Sequence, residues 1–363
     1  MKLFGKTIHG RRIRWWLIIW MTRLFGRRVE VEGSSKRRKI LPWIWNGRLH
    51  LFGMQHFRAK LVFDSKYRTR IVESPLVEPV LGNSARTPDP DAPPEFLHAV
   101  LIHYRPEETN ALVAAWADLA GGDDRLFVGY GGPEKHFESI GHPHKAFIPQ
   151  DQIWVDQPGG THSYTDFLLK AAEYCIATGK AGVLVTDADA WPCSADYLST
   201  LCLPPWKAGC DFSATRLRDV TNTSFMFPES ATHTLPTLER WVREHGLADP
   251  NAEVRVLHHF APLMYFSREI LIAMRKHCGN EPPSHVEKTL GSYALHLGAS
   301  YCAYEDFKVF DLPAWLRYRP NLDHGELCRA LDESVPLVHP VKNNGWVSEY
   351  ARVRERAAAP AEA

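Results

Sequence analysis

Asp187-Ala188-Asp189 is the segment of this 363-residue chain best suited to hold a metal ion. It follows the apolar run Val183-Leu184-Val185, and residues two apart on extended backbone project to the same side, so both carboxylates can face one ligand. Two anionic oxygens suit a hard divalent cation, which completes its shell with substrate phosphates when a protein supplies only one or two carboxylates. The competing reading is a pair of turn aspartates ahead of Trp191-Pro192. His142-Pro143-His144 and His258-His259 are the other candidate metal donors, but no His-Glu-x-x-His spacing accompanies them, which argues against a zinc hydrolase. Gly129-Tyr130-Gly131-Gly132 lacks both a Gly-x-Gly-x-x-Gly frame and a following Gly-Lys-Ser/Thr, so phosphate-loop and dinucleotide readings are weak.

Alternating strand and helix patterns must position these groups. Ala99 to Tyr104 is a short apolar run, and Glu107 to Leu119 follows with Leu112, Ala115, Trp116 and Leu119 at helical spacing. Leu126–Tyr130 and Ala146–Ile148 are further strand candidates. Tyr164 to Thr178 places Phe167, Leu168, Ala171, Ala172 and Cys175 on one helical face, and Gly179 ends it. Val183–Val185 then reads as a central strand because it is apolar throughout. Phe260 to Ser267 reads as a strand whose last residue caps the helix Arg268–His277. The expected fold is α/β, a Rossmann-type, mostly parallel sheet flanked by helices. In such sheets ligands bind at the carboxyl ends of the strands, where Asp187 and Asp189 fall.

With these residues in this order, the chain from about 97 to 345 resembles the GT-A fold nucleotide-sugar-dependent glycosyltransferases of the Asp-x-Asp type. The resemblance implies that Asp187 and Asp189 hold Mn2+ or Mg2+ against a nucleoside diphosphate, with Asp187 also facing the ribose. Leu101-Ile102-His103-Tyr104-Arg105-Pro106-Glu107 looks like the first strand and its turn, which puts His103, Tyr104 and Arg105 at the nucleotide sugar. His285-Val286-Glu287 is similar to the acidic opening of a helix where inverting members keep their general base, which implicates Glu287. Val338-His339-Pro340-Val341-Lys342 is similar to the late histidine that completes the metal shell, making His339 a ligand and Lys342 available to the diphosphate. Glu305-Asp306 is a rival acidic pair, and if neither is a base the mechanism would be retaining.

The formal net charge of +1 hides a division along the chain. Residues 1–40 carry twelve Lys and Arg against Glu30 and Glu32, a net +10, leaving −9 on the remainder. Trp15-Trp16-Leu17-Ile18-Ile19-Trp20-Met21 lies between arginines and is far shorter than the roughly 20 residues a spanning helix needs. No small-residue cleavage site follows it. Residues 1–28 therefore read as a basic-aromatic segment lying on an anionic membrane surface, with packing on the protein's own core as the alternative. No nucleic-acid reading motif accompanies the charge. The seven cysteines are irregularly spaced and form no Cys-x-x-Cys pair, which predicts reduced thiols in a cytosolic protein.

The expected organisation is the 1–28 segment, a region of short strands over 29–81, a Pro-rich linker over 82–95, a catalytic domain over 96–350 and a disordered tail over 351–363. The expected activity is sugar transfer from a nucleoside diphosphate sugar to a glycan or glycolipid acceptor at the inner face of a membrane, in cell-envelope glycan synthesis. A sugar nucleotidyltransferase and a non-catalytic membrane adaptor are the alternatives.

Overall fold

The computed structural model describes backbone strands between residues 2 and 73 and, with side chains, residues 77–350 except 82–85, 88, 90–91, 154–162 (backbone only at 154–155 and 161–162), 220–236, 248–253, 280–284, 318–319, 343–345 and 348–349. The chain divides into two units, one of residues 1–75 with 222–228 and one of the remainder. In the first, Ala59–Phe63 pairs antiparallel with Thr69–Glu73, which pairs parallel with Val29–Val31, and Trp43–Trp45 pairs with Arg48–His50. The expected apolar stripe of residues 13–24 and the tail 351–363 lie outside the described residues.

The second unit carries the seven-stranded sheet. In chain order the strands of this sheet and the longer helices of the unit are β1 (Phe96–Ile102), α1 (Pro106–Ala120), β2 (Leu126–Tyr130), β3 (Lys145–Phe147), α2 (Thr165–Ala177), β4 (Gly182–Asp187), α3 (Tyr197–Lys207), β5 (Phe212–Asp219), β6 (Leu257–Ser267), α4 (Arg268–His277), α5 (Val286–His296), β7 (Tyr301–Ala303) and α6 (His324–Asp332). The strands lie in the order β3-β2-β1-β4-β6-β5-β7. Four of the six pairings are parallel, and β6 runs antiparallel to both its neighbours. The sheet is thus mostly parallel and helix-flanked, as the alternation of strand and helix patterns predicts. Helices α1 and α3 contact each other on one face, and α2 and α4 contact each other on the other.

Burial explains why these segments become these elements. Val183, Leu184 and Val185 are fully buried, as an uninterrupted apolar run is stable only with both faces of the strand covered. Helix α1 opens with Pro106 in its first turn and ends at Gly121, which adopts φ 90°. Ser267 Oγ accepts the Ile270 N–H at 3.3 Å, the cap expected for α4. Buried His98 in β1 is paired at both ring nitrogens: it contacts Thr186 Oγ1 and the Tyr197 hydroxyl, each at 2.8 Å, and burial pushes its imidazole down to about 3. Gly182 opens β4, where an added Cβ would lie 2.7 Å from the Phe266 carbonyl oxygen. Gly182→Ala should therefore destabilise the protein by about 1–3 kcal/mol, read as a lowered urea midpoint.

One expectation is corrected. Cys210 and Cys302 form a disulfide across 92 residues, whereas the sequence reading makes every cysteine a free thiol. The parallel pairing of β5 with β7 brings the two together, and linear spacing carries no trace of that neighbourhood. Cys175, Cys193 and Cys202 are buried.

Candidate active site

The carboxyl ends of β1, β2 and β4 open onto a cavity of about 620 Å³. Its walls include His103 and Tyr104 after β1, Gly131 and Gly132 after β2, Asp187 and Asp189 at the end of β4, and Glu287 at the start of α5. Register sets this arrangement, because Asp187 pairs with Leu101 and Ile102 with Tyr130, so three strand ends finish level. Asp187 is the last residue of β4, and the Ala190 N–H returns to the Asp187 carbonyl at 3.0 Å in a turn that presents Asp189 next to it.

His339 reaches this turn from 150 residues away through backbone pairing. Leu337–Val338 pairs antiparallel with Trp191–Pro192, and the Val341 N–H donates to the Asp189 carbonyl at 2.9 Å. Asp187, Asp189 and His339 each offer a ligand atom, all within 4.8 Å of one another. His339 Nε2 lies 3.3 Å from Asp189 Oδ1, while Nδ1 lies 2.9 Å from the Arg317 carbonyl oxygen. A carbonyl only accepts, so Nδ1 donates to it, and Nε2 is the nitrogen turned to the carboxylates.

The charges follow from the surroundings. Burial works against ionised Asp189, but the hydrogen bond and charge of His339 and the charge of Lys342 overcome it and hold the carboxyl well below its usual range. Burial, reinforced by Asp189, raises Asp187, although the Tyr164 hydroxyl donates to its Oδ1 at 2.6 Å. Asp189 Oδ2 is buried, faces Lys342 Nζ as an ion pair and accepts no well-directed hydrogen bond. Two carboxylates and one imidazole nitrogen with an undersatisfied buried oxygen fit Mn2+ or Mg2+.

Glu287 stands in the first turn of α5, behind His285, whose Nδ1 accepts the Glu287 N–H at 3.2 Å. Its carboxylate lies 3.5 Å from Nε2 of buried His258 and remains in the cavity wall. The rival Glu305 is elsewhere: both its oxygens accept the Arg216 N–H, at 2.9 and 3.1 Å, where Arg216 sits at φ 55°. Burial raises Glu305 against those hydrogen bonds. Asp306 accepts the Ala303 N–H, so the rival pair is occupied with backbone.

Of the residues singled out in sequence, His103, Tyr104, Asp187, Asp189, Glu287 and Lys342 line the cavity, and His339 joins the aspartates. Arg105 does not line it. It is exposed at the N-cap of α1, where its carbonyl accepts the Thr109 N–H. Sequence reasoning missed Gln150 and Tyr164, and it gave Gly131 and Gly132 no role, although all four line the cavity. The signal was available for Tyr164, because a helix following a parallel strand begins at the carboxyl edge of the sheet, where ligands bind. His142 is drawn to the Leu126 carbonyl instead of a metal cluster, and among the described residues the Asp187, Asp189 and His339 group is the only metal-competent one.

No protein-family model and no curated protein matches the chain. Among solved structures it is similar to glucosyl-3-phosphoglycerate synthase from Mycobacterium tuberculosis in complex with Mn2+ and uridine-diphosphate-glucose, at 15% identity, covering 58% of this chain and 68% of that one, with a TM-score of 0.31. A further structure of that synthase, with phosphoglyceric acid also bound, aligns at 14% identity over 67% and 78% of the two chains with a TM-score of 0.32. An active-site mutant of LgtC aligns at 12% over 71% and 96%, with a TM-score of 0.30. Likenesses this distant leave the functional reading to rest on the chain's own residues.

Proposed function

We propose that this protein is a metal-dependent glycosyltransferase that moves a sugar from a nucleoside diphosphate sugar to a hydroxyl of a membrane-associated glycan or glycolipid acceptor, with inversion. The observation that carries the reading is the convergence of Asp187, Asp189 and His339 within 4.8 Å of one another, with both aspartates in the lining of a cavity that also holds Glu287. A divalent ion bound there supplies Lewis-acid neutralisation of a leaving diphosphate. Asp187 at the end of β4 and Asp189 in the turn after it would hold the ion, and the Tyr164 hydroxyl fixes Asp187. His339 is oriented for the same task by the Arg317 carbonyl. Lys342 is placed to meet diphosphate oxygens, and His103 and Tyr104 form the wall nearest the end of β1.

On the acceptor side, Glu287 Oε atoms take the proton of the incoming hydroxyl as it attacks the anomeric carbon. Inversion follows from a single displacement with one base, and the anomeric configuration of the product reports it. Screening a panel of nucleotide sugars for Mn2+-dependent release of nucleoside diphosphate tests the reading. A donor-specific signal is expected, and release of pyrophosphate from a nucleoside triphosphate and sugar phosphate would instead reveal a nucleotidyltransferase.

The membrane acceptor is supported by residues 1–28, with eight Lys and Arg, no acidic residue and Trp15, Trp16 and Trp20. An enzyme held at the interface meets its acceptor at raised effective concentration. Among the described residues no helix is long and apolar enough to cross a membrane. Deleting residues 1–28 should reduce co-sedimentation with phosphatidylglycerol-containing vesicles at least fivefold. Undiminished co-sedimentation would refute this role of the segment.

A further inference from the structure

We propose that Lys342 is a built-in counter-ion of the metal site, whose ammonium group stands beside Asp189 until a diphosphate draws it away, so that cation and diphosphate bind cooperatively. The role rests on Asp187, Asp189 and His339 being the cation's ligands.

The Asp189 side chain is only 7% exposed, and an ionised carboxylate buried to that degree needs a compensating charge. Nζ of Lys342 provides it at Oδ2, the oxygen that accepts no well-directed hydrogen bond. The two ends of Lys342 are held differently. Its neighbour Val341 is tied to the Asp189 carbonyl through a 2.9 Å hydrogen bond, which fixes the root of the side chain at the site. The side chain itself is 57% exposed, so the ammonium can leave Oδ2 for another anion without disturbing packing. A lysine suits this exchange, because it is a compact point charge on a flexible stem and makes no planar two-point grip.

Two consequences follow. A divalent cation alone must displace Lys342 or bind next to its positive charge, so it binds weakly. A diphosphate in the same cavity offers Lys342 a new partner and frees Oδ2, so each ligand strengthens the other to the same degree.

The test titrates Mn2+ alone into the full-length wild type, Lys342→Met and Lys342→Gln, with Lys276→Met, an exposed lysine on α4, as control. Isothermal titration calorimetry reads the affinity. Both Lys342 variants should bind Mn2+ at least fivefold more tightly than wild type and the control. Pyrophosphate, after allowance for its own complex with Mn2+, should tighten Mn2+ binding to wild type and lose at least half of that effect in the variants. In chelator both variants should melt below wild type and regain the difference on adding Mn2+. Equal or weaker Mn2+ binding by both variants would overturn the counter-ion role alone. Failure of every protein to bind Mn2+ would overturn the metal site and this role with it.

Discussion

Asp189→Ala is expected to abolish measurable Mn2+ binding and to lower metal-dependent release of nucleoside diphosphate by about 1,000-fold, equivalent to roughly 4 kcal/mol of transition-state stabilisation. The size of the effect follows from position. Asp189 is the most buried carboxylate of the cluster, it faces His339 Nε2 at 3.3 Å, and its Oδ2 is the oxygen left without a directed donor. Removing it takes away one ligand and the anionic partner that orients another. Asp189→Asn, nearly the same shape without the charge, should lose almost as much, because the charge and not the volume is what the cation needs. Calorimetry with Mn2+ and a coupled assay for diphosphate release are the measurements, with circular dichroism to verify the fold. Activity within tenfold of wild type would sink the metal-dependent reading.

Glu287→Gln should lower kcat by about 100- to 10,000-fold while leaving donor and Mn2+ affinity within twofold, because a general base acts on the acceptor proton in the transition state. Glutamine preserves the size of the side chain, so the wall of the cavity persists while the basic oxygen is lost. The contrast is Glu305→Gln. Its carboxylate serves the Arg216 N–H and does not line the cavity, so kcat should hold within twofold while stability falls by about 1 kcal/mol. Measuring kcat and the urea midpoint of both variants separates the two roles. A normal kcat in Glu287→Gln, with product of unchanged anomeric configuration, would remove Glu287 as the base.

Legibility in the sequence differed by element. The central strand β4 was readable because Val183, Leu184 and Val185 are apolar without alternation, and α4 because Ser267 announces its cap. Helix α3 was not, since Pro204 and Pro205 lie inside it and mimic a loop. In the site, Asp187 and Asp189 were legible from their place just past the apolar run Val183–Val185. Gly131 and Gly132 were set aside for lack of a phosphate-loop frame, yet β2 ends level with β1 and carries both into the cavity. Arg105 follows His103 and Tyr104 in sequence but falls at the exposed N-cap of α1 and outside the lining.

What the sequence by itself determined is local: the alternation of strand and helix, the apolar centre of the sheet, and the position of two carboxylates just beyond it. These depend on periodicity and on groups a few residues apart, which a linear pattern records. Only the tertiary structure decided that His339 meets Asp189, that Cys210 meets Cys302, and that Glu287 lines the cavity while Glu305 holds backbone. Those contacts are made across dozens to about 150 residues by strand order and register, and the same side chains at the same spacing would be separated by any other path of the chain.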